Sequence, residues 1–514
     1  MAKMKAKGTV DTKALIEESI KERFNKLDGE RSTILTRARD CAELTIPSIL
    51  PPDGHSETDA IATPYQSVGA RLVNNLSSKL LLTMLPPNNS FFRVYVTDDA
   101  KSKLSEETLQ QANDWAVMIE AEGQRVIEKE AIRVSAFELM KSLITTGSAL
   151  GVKIKEGGLK TYRLDSFVVS RDYKGNPTEI ITVEKVDKNT LDDTISSKLT
   201  EDSGTSQVTI YTRAVLKLGT WYEYQYVDDV LVDNSLTTYT KETFPYLPLR
   251  WTSISGHNYG VGLVEQYLGD FRSLEACFQM LIENAAVAGK TVFGVKAGSI
   301  LDIKELQDAD NGDVIQGDFE SDVTVLRVDK GTDIQFLMNV AETLTRRLEQ
   351  AFLSASSVAR DSERTTAREI SYMAADLEQS LGGVYSVLSQ EFQSPLARLV
   401  INSLDNVDFE GYDYNIVTGV DALGRNSDLE KLIQFVSILN NSGLTQAISS
   451  RLNIDNLIND ITIASSLPTG RYVKSQQQVA NEQAQAMQDN ALATGATETM
   501  KSAGQALGQN LQQQ

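Results

Sequence analysis

A long apolar stripe between residues 360 and 402 constrains the fold of this chain more than any other feature. Thr366 stands three residues before Glu369, which is the spacing of a capping box at a helix start. Apolar residues then recur at steps of three and four, which predicts one helix of roughly 35 residues and about 50 Å. Gly382-Gly383 at its middle and Pro395 near its end predict two bends. On this pattern alone, a helical hairpin arm in a large α domain is the alternative.

Composition places the chain among soluble globular proteins. Its 514 residues suffice for about two to four domains, and 41% are hydrophobic and 23% charged. No apolar run approaches the roughly 20 residues that a membrane span requires, and the first residues lack the apolar region of a secretion signal. Cys41 and Cys277 are too few and too far apart to suggest a disulfide framework or a zinc site.

The net charge of −20 argues against a protein that coats DNA. General nucleic-acid binders are usually basic, because neutralised phosphates supply their affinity. A transient contact with DNA remains open wherever the few basic residues gather.

The N-terminal half combines helices with an antiparallel β domain. Helical spacing or helix-forming composition predicts helices over 10–44, 64–85 and 105–150, and aromatic and β-branched residues predict a strand over 91–96. Residues 151–252 alternate β-formers with turn residues, which predicts an antiparallel β domain. Its polar stretch 188–207 is expected to be a long loop, and 244–251 is expected to be a Pro-interrupted edge strand.

The C-terminal half returns to helices around a small insertion. We expect helices over 262–288 and 339–354, with a small α/β insertion at 291–337 that contains strands over 322–328 and 333–337. A strand pair is expected within 404–420 and short helices within 427–466. The Gln-rich end, 475–514, has the composition of a peripheral helix or a disordered tail. The sequence therefore predicts an α+β protein.

Two glycine motifs fail the tests for nucleotide binding. Gly289-Lys290-Thr291 matches the end of a P-loop, but Asn284 stands where that motif needs glycine, and a helix leads in instead of a strand. A helix C-terminal turn is the expected structure there. Gly260-Val261-Gly262 lacks the third glycine of a dinucleotide fingerprint, and we expect it to free the backbone at a helix start.

Metal and catalytic motifs also fail. His55 and His257 are the only histidines, and neither has ligands at metal spacing. The acidic stretch 308–313 resembles the start of a calcium loop, but Phe319 stands at its twelfth position, so we expect a polar turn. No nucleophile elbow is present. The sequence supports neither an enzyme nor a cofactor or metal site.

Five arginines surround the loop before the long helix. They are Arg346, Arg347, Arg360, Arg364 and Arg368. Within one chain, neighbouring Asp and Glu residues balance them, and a solvated salt-bridge face is the expected structure. In a closed ring, each arginine would instead become a circle of like charges.

Three stretches together resemble the portal, or head-to-tail connector, of short-tailed phages. ERTTAREISYMAADLEQSLGGVYSVLSQEFQSPLARLV resembles the signature helix of that family. Within it, the matching residues are Thr366, Ala367, Glu369, Ile370, Leu381, Gly382, Leu388, Ser389, Glu391, Pro395 and Leu396. TPYQSVGARLVNNLSSKLLLTMLPP and YGVGLVEQYLGDFRSLE are similar to its N-terminal part and its first central helix. The resemblance spans roughly 20–430 in order, and it matches least at the Gln-rich end.

The resemblance implies a ring-forming portal fold with long stem helices, a kinked wing helix, a β-rich wing and a small α/β clip. The implied regions are an N-terminal and wing region (1–261, β-rich at 151–252), a stem helix (262–290), the clip (291–337), a second stem helix (338–354), the tunnel loop (355–365), the kinked wing helix with following strands (366–426), the crown (427–474) and the C-terminal tail (475–514).

The same resemblance implies a function in the virion. A dodecameric ring at one capsid vertex would pass DNA during packaging and ejection, nucleate head assembly and join head to tail. Its implied partners are further copies of itself, the terminase large subunit, a tail adaptor or tail tube protein, major capsid and scaffolding proteins, internal core proteins and double-stranded DNA, with no membrane. Assembly would take place in the host cytoplasm. The alternative is a ring-forming head or tail adaptor without a packaging role.

The resemblance also assigns roles to the arginines. Arg360, Arg364 and Arg368 would line the channel at the tunnel loop, and Arg346 and Arg347 would face it from the stem.

Overall fold

A computed structural model describes residues 19–354 and 377–417, together with 434, 437 and 438. Within these ranges it leaves out 57, 88–89, 188–206, 228–229, 233, 290–291, 317, 327–330, 378, 405–408 and 410. The described residues mix helices and strands. They divide into two compact units, one formed by Met1–Phe91 with Gln124–Asp405 and the other by Phe92–Gly123 with Asn406–Gln514.

The helices of the described residues, in chain order, are α1 (Ile20–Glu30), α2 (Ser32–Glu43), α3 (Val68–Met84), α4 (Asp98–Lys101), α5 (Glu106–Lys129), α6 (Ile132–Thr146), α7 (Leu263–Gln266), α8 (Leu268–Ala288), α9 (Ile303–Asp308), α10 (Phe319–Asp322), α11 (Gly331–Ala351), α12 (Gly383–Leu388) and α13 (Ser394–Asn402). Short 3-10 turns lie at Pro47–Ile49 and Leu164–Ser166, and a π-helical turn at Ser389–Gln393.

The strands of the described residues are β1 (Phe92–Val96), β2 (Ser148–Lys153), β3 (Leu159–Tyr162), β4 (Phe167–Arg171), β5 (Pro177–Asp187), β6 (Gln207–Lys217), β7 (Thr220–Val227), β8 (Val230–Leu231), β9 (Thr237–Tyr239), β10 (Tyr246–Arg250), β11 (Val292–Val295), β12 (Val323–Leu326) and β13 (Tyr412–Ile416). Every pairing between them is antiparallel.

The antiparallel strands predicted over 151–252 are confirmed, and they form two sheets. The larger has the order β4-β5-β6-β7-β8 with β9 beside β7, and the smaller has the order β10-β2-β3. Pro248 lies in the edge strand β10, opposite Leu150, as its missing N–H requires. The predicted long loop at 188–207 lies outside the described residues, except for Gln207 at the start of β6.

The larger sheet is buried on both faces, and the alternation along β4 shows how. Phe167 and Val169 join a core with α2 and the smaller sheet, while Val168 joins a core with α1 on the opposite face. Successive residues of a strand point to opposite faces, so one strand contributes to two cores. Trp221 stacks on Phe244 within the first core, with ring centroids 3.8 Å apart.

The single helix expected over 10–44 is instead two helices, described from residue 20, that break at Arg31. The Arg31 side chain is buried, and its guanidinium donates to the carbonyl oxygens of Leu164 and Phe167 and to the Asp28 carboxylate. A buried guanidinium needs such acceptors, and here the β domain and Asp28 together supply them at the break between the two helices. The break places α1 and α2 against different cores of the sheet.

Two strand boundaries also differ from the expectation. The helical region 105–150 ends at Thr146, because Gly147 takes a left-handed conformation with φ 81°, and β2 begins at Ser148. The strand expected over 333–337 is wrong, since α11 begins at Gly331. Ile334 and Leu337 extend the helical spacing of Ala341 and Leu344 toward the N-terminus, so the apolar pattern belongs to one helix.

The second unit contains β1, whose predicted strand is confirmed. The strand pair expected within 404–420 is wrong for the described residues there, because β13 pairs with β1 instead. Glu120 is buried on α5 and accepts a hydrogen bond from the Val94 N–H at 2.9 Å. Trp115 packs on Tyr412 with ring centroids 5.5 Å apart. A pairing across more than 300 residues leaves no local trace in the sequence.

The long helix is described from Leu377 onward, and the interruption expected at Gly382-Gly383 is confirmed, whereas a change of helix type is what precedes Pro395. Gly382 interrupts the helix at φ 44° and ψ −108°, and the π-helical turn Ser389–Gln393 comes directly before the helix that contains Pro395. Glycine tolerates that conformation, and proline removes a backbone donor. The helical start at 366, and the predicted segments within 427–466 and 475–514 apart from three helical residues, lie outside the described residues.

Within the described part of the chain, no helix is both long enough and apolar enough to cross a bilayer.

Candidate assembly and channel surface

Helices α8 and α11 form an antiparallel hairpin whose base is firmly packed. Phe271 and Leu274 of α8 are buried, as are Leu344 and Leu348 of α11. Phe352 follows α11 and meets Phe271 edge to face, with ring centroids 5.7 Å apart. This cluster packs the two helices together at the base of the hairpin.

The outer half of the same hairpin lacks a core of its own. The described side chains over 279–288 and 331–340 are all exposed or half-buried, although many are apolar. The large apolar side chains left exposed here are Met280, Ile282, Val287, Phe336 and Met338. Several large exposed apolar side chains on one short segment usually mark a protein contact. The outer half therefore has the character of an assembly surface.

The sides of α11 differ in polarity. Ala341, Leu344 and Leu348 form its buried stripe, and each residue adds about 100° around the axis. By this count, Phe336 and Met338 lie on the two opposite flanks of the stripe. The face opposite the stripe is polar and consists of Gln335, Asn339, Glu342, Thr343, Arg346 and Gln350. The helix thus offers apolar flanks to neighbours on either side and a polar face outward.

The surface of the insertion between the two helices carries both acidic side chains and exposed apolar side chains. β11 pairs with β12 in a two-stranded sheet, and Asp302 caps α9 by accepting from the Lys304 N–H at 2.9 Å. Exposed apolar residues of the insertion are Phe293, Ile300, Ile303 and Val314. Acidic residues around them are Asp302, Glu305, Asp308, Asp310, Asp313, Asp318 and Glu320. This surface suits a partner that combines apolar and basic groups.

Ion pairs surround the base of the hairpin. In the described helices α2, α3, α8 and α11, each arginine lies within salt-bridge distance of a carboxylate. The pairs are Arg37–Glu265, Arg39–Asp53, Arg71–Glu349, Arg272–Asp40, Arg346–Glu342 and Arg347–Asp270. Arg71–Glu349, Arg272–Asp40 and Arg347–Asp270 each join two of these helices. Arg71–Glu349 and Arg272–Asp40 connect the hairpin to helices of the first unit, and Arg347–Asp270 connects the two helices of the hairpin.

The structure distinguishes Arg346 and Arg347, the two arginines of α11 that the sequence singles out. Arg346 pairs within its own helix, with Glu342 at 2.8 Å, whereas Arg347 reaches across to Asp270 of α8 at 3.1 Å. Both arginine side chains are mostly exposed. Arg360, Arg364 and Arg368, the residues assigned to the tunnel loop, lie outside the described residues.

Three glycines allow two backbones to cross at the base of the hairpin. A Cβ on Gly260 would lie 2.5 Å from the Gly147 carbonyl oxygen, and one on Gly262 would lie 2.9 Å from the Gly147 nitrogen. The Gly147 oxygen accepts from the Trp251 N–H at 2.9 Å. The motif Gly260-Val261-Gly262 therefore marks a close crossing, and the expected freedom of the backbone at a helix start describes it only in part.

One carboxylate ties the kinked helix to the β domain. Glu391, in the π-helical turn, accepts from the Arg250 N–H at 2.9 Å and from Arg250 Nε at 3.0 Å. The Arg171 guanidinium lies 3.9 Å from the same carboxylate. Burial lowers the pKa of Arg171 to about 10, with Glu391 opposing that effect and the neighbouring Arg250 charge adding to it. Two guanidinium groups thus depend on one carboxylate.

Arg171 is held in addition by backbone acceptors. It donates to the carbonyl oxygens of Asn258 and Gly175 at 3.0 Å and of Pro248 at 2.8 Å. The cluster around Glu391 therefore joins the strand β10, the turn after β4, the loop at 258 and the kinked helix. The sequence shows Glu391 within the family signature, but no local pattern indicates its two partners.

Nucleotide and metal sites remain unsupported among the described residues. Gly289 ends α8, and its N–H donates to the Ala285 oxygen at 3.0 Å, as expected for a helix terminus. Lys290 and Thr291 lie outside the described residues. The Asp310 N–H donates to the Asp313 carboxylate, and the Asp313 N–H donates to the Asp310 carbonyl oxygen. The two residues thus form the expected polar turn. No described group of His, Cys, Asp and Glu is placed to hold a metal ion.

Comparison with known proteins adds an independent finding. Residues 17–473 match the family described as bacteriophage head to tail connecting protein. The chain is 35% identical over 439 residues to the portal protein of Enterobacteria phage T3, with 82% of each chain covered. It is 34% identical over 442 residues to the portal protein of Escherichia phage T7, again with 82% of each covered. A chain from the neck of an empty GTA particle aligns at 10% identity with a TM-score of 0.37, covering 71% of this chain and 86% of that one, which is too low a score to bear on the fold.

Proposed function

The chain belongs to the family of bacteriophage head-to-tail connecting proteins, and from this premise we propose that it forms a twelve-subunit portal ring at one capsid vertex. As a member of that family it connects the phage head to the tail. In the proposed ring, the terminase large subunit drives DNA through the central channel during packaging, and DNA leaves by the same route at ejection. The ring also nucleates head assembly with capsid and scaffolding proteins in the host cytoplasm.

The sidedness of the hairpin is the observation that supports this proposal best. Phe336 and Met338 lie on opposite flanks of α11, and both are exposed. A closed ring supplies each subunit with a neighbour on either side, so both flanks become buried. The polar face of α11 then remains for the channel. An isolated chain would leave these apolar groups in water.

The regions follow from this arrangement. We assign α8 and α11 to the stem, the insertion between them to the clip, the β domain to the wing and the helix after Gly382 to the kinked wing helix. Residues 355–365 are the tunnel loop, and 427–474 the crown, with 475–514 beyond it.

The channel is proposed to guide DNA without holding it. A protein with a net charge of −20 offers phosphate few favourable contacts, so DNA slides along its wall. Arg360, Arg364 and Arg368 of the tunnel loop supply sparse, sequence-independent contacts at the constriction.

The clip is proposed as the docking site for the terminase before packaging ends and for the tail adaptor afterwards. Its exposed Phe293 and Ile300, among acidic side chains, support a contact with apolar and basic groups. Internal core proteins are proposed to meet the ring on its capsid side.

Electron-microscope imaging of the purified chain, sorted by rotational symmetry, tests the ring. The wild type is expected to give rings of twelve with an open channel. Replacing Met280 and Phe336 together with serine is expected to yield folded chains that do not close into rings. Tyr173→Ser is the control, because Tyr173 is also a large exposed side chain but lies in the turn after β4, away from the hairpin.

A folded monomer or a small compact oligomer from the wild type would contradict the ring. A second assay distinguishes a portal from a ring-forming adaptor. Particles assembled with the chain should package DNA when terminase is supplied, and particles assembled without it should not. If the chain is an adaptor without a packaging role, its omission would prevent the joining of heads to tails but leave packaging unchanged.

A further inference from the structure

The arginines at the base of the hairpin differ in how firmly their carboxylates hold them. Arg347 is 61% exposed, but its partner Asp270 is only 21% exposed and lies on the other helix. Arg346 and its partner Glu342 are 68% and 69% exposed and lie one turn apart on the same helix. An exposed pair within one helix is weak and exchanges readily with solvent ions. The two neighbouring arginines are therefore not equivalent.

The position of each arginine around the axis of α11 also separates Arg346 from Arg347. Arg346 lies about 165° from the centre of the stripe formed by Ala341, Leu344 and Leu348, counting about 100° per residue. Arg347 lies on the same flank as Phe336 but nearer the base of the hairpin, where that flank meets α8 and Arg347 reaches Asp270. The outward, polar face therefore carries Arg346 and Glu342, while Arg347 belongs to the contact between the helices.

We propose that Arg346 is the phosphate-contacting arginine of the stem and that Arg347 is a brace that positions the hairpin. This inference rests on the proposed portal function, and it separates two residues that the sequence treats alike. DNA in the channel would meet the outward face of α11 first. Phosphate could take the guanidinium of Arg346 by replacing an exposed carboxylate, but it would have to break an interhelical contact to take that of Arg347.

The partner Glu342 makes the contact weak. When Arg346 binds phosphate it gives up Glu342, so each contact gains less than a free arginine would gain. The Glu342 charge also stays nearby and repels the phosphate. Helix α11 would therefore contact DNA weakly and release it readily, and DNA that slides through a channel requires contacts of this kind.

Salt-dependent binding of linear double-stranded DNA to assembled rings tests the assignment. In Arg346→Gln rings, we expect the slope of log K against log salt to fall by about 0.9 or more, the value for each lost phosphate contact. In Arg347→Gln rings, we expect an unchanged slope but an unfolding temperature lower by a few degrees. Arg346→Lys keeps the charge and should keep the slope.

Glu342→Gln is expected to change DNA binding in the opposite direction from Arg346→Gln. It removes the competitor of Arg346, so DNA should bind several-fold more tightly and with a steeper salt slope. Glu305→Gln is the matched control, because it makes the same change in net charge on exposed α9, away from any arginine of the stem. If Arg346→Gln rings fail to assemble, the comparison between Glu342→Gln and Glu305→Gln still decides the question.

Two results would overturn the assignment. One is an unchanged salt slope in Arg346→Gln rings, or a fall in slope in Arg347→Gln rings instead. The other is equal DNA binding by Glu342→Gln and Glu305→Gln rings. Wild-type rings that show no salt-dependent DNA binding at all would contradict the proposed channel itself, together with this inference, so the two failures can be told apart.

Discussion

At the scale of single residues, Glu391 has the most consequences for this fold. Its carboxylate is the acceptor for Arg250 and the nearest negative charge to Arg171, both of which are largely removed from water. The two neighbouring guanidinium groups need a carboxylate beside them, because burial and mutual repulsion both disfavour their charged states. The π-helical turn places this carboxylate against β10, and π-turns often occur at functional positions.

Glu391→Gln should destabilise the contact between the kinked helix and β10 by about 3–5 kcal/mol, the usual cost of breaking a buried charge pair. Native-state hydrogen exchange of the β10 amides measures this local loss. Glu342→Gln, at an exposed pair, is the control and should cost about 0.5 kcal/mol or less. Equal exchange rates in the two variants would show that Glu391 does not anchor the helix.

Gly260→Ala should disrupt the base of the hairpin. Its new Cβ would lie 2.5 Å from the Gly147 oxygen, which is backbone and cannot move aside cheaply. We expect a loss of about 3 kcal/mol or more, measured as a lower unfolding temperature. Gly269→Ala is the control, since nothing lies within 4 Å of its Cβ and alanine favours the helix. A wild-type unfolding temperature in Gly260→Ala would refute the close crossing.

Glu179 should make stability depend on pH in the acid range. Burial by itself would raise the pKa of Glu179, but hydrogen bonds and charge from Arg23 and Arg213 outweigh it and hold that pKa below its ordinary value. The folded pKa is therefore lower than the unfolded one. The stabilisation is present above about pH 4.3 and is lost as the pH falls through the lowered pKa.

Unfolding temperatures of wild type and Glu179→Gln, compared between pH 3 and pH 7, measure this effect. The difference between them should be largest at neutral pH and shrink as the pH falls. A constant difference across that range would mean that Glu179 does not titrate differently in the folded and unfolded chain.

At the scale of elements, the α8–α11 hairpin changes character along its length. Leu344 near its base is buried, whereas Phe336 two turns away is 67% exposed. Helical stability in proteins comes mostly from packing an apolar face. The base is therefore stable in the single chain, and the outer half gains its full packing only from a neighbour.

Leu344→Ala should cost the unassembled chain about 2–4 kcal/mol, because it leaves a cavity in the base. Phe336→Ala should change the stability of the unassembled chain by about 0.5 kcal/mol or less but weaken ring formation. Thermal unfolding and sedimentation of each variant separate the two effects. A large loss of monomer stability in Phe336→Ala would contradict the assignment of its flank to an assembly surface.

At the scale of the whole molecule, charge and assembly act together. The net charge of −20 disfavours strong phosphate binding by the proposed channel, and the exposed flanks of the hairpin leave apolar groups of the single chain in water. A ring would bury the exposed flanks against neighbouring subunits. It would also gather the few outward arginines into circles, where they could contact phosphate despite the acidic net charge.

Replacing Arg360 and Arg364 together with alanine should reduce the DNA content of assembled particles while rings of normal symmetry still form. The reason is that these residues are proposed to supply the sparse phosphate contacts of the constriction. DNA content per particle and ring symmetry by electron microscopy are the two readouts. Arg163→Ala, on the exposed edge of the β domain, is the control. Wild-type DNA content in the double variant would sink the proposal.

The predictable part of this fold is the part written in local spacing. The strands of the β domain, the interruption of the long helix at Gly382 and the edge position of Pro248 all follow from alternation, glycine and proline. The break at Arg31 and the pairing of β13 with β1 do not, because each depends on groups distant in sequence. For the same reason, the partners of Glu391 and Arg347 could not be named, although both residues stood out beforehand.

The sequence by itself determined the family, the mixed helical and β architecture, the helix pair with its insertion, and the acidic balance. Only the tertiary structure decided that Gly260 serves a backbone crossing and that Arg347 reaches Asp270. Local spacing records which side of a helix is apolar, since that is a property of neighbouring residues. It does not record which distant carboxylate arrives beside a given arginine, because packing of the whole chain brings the two together.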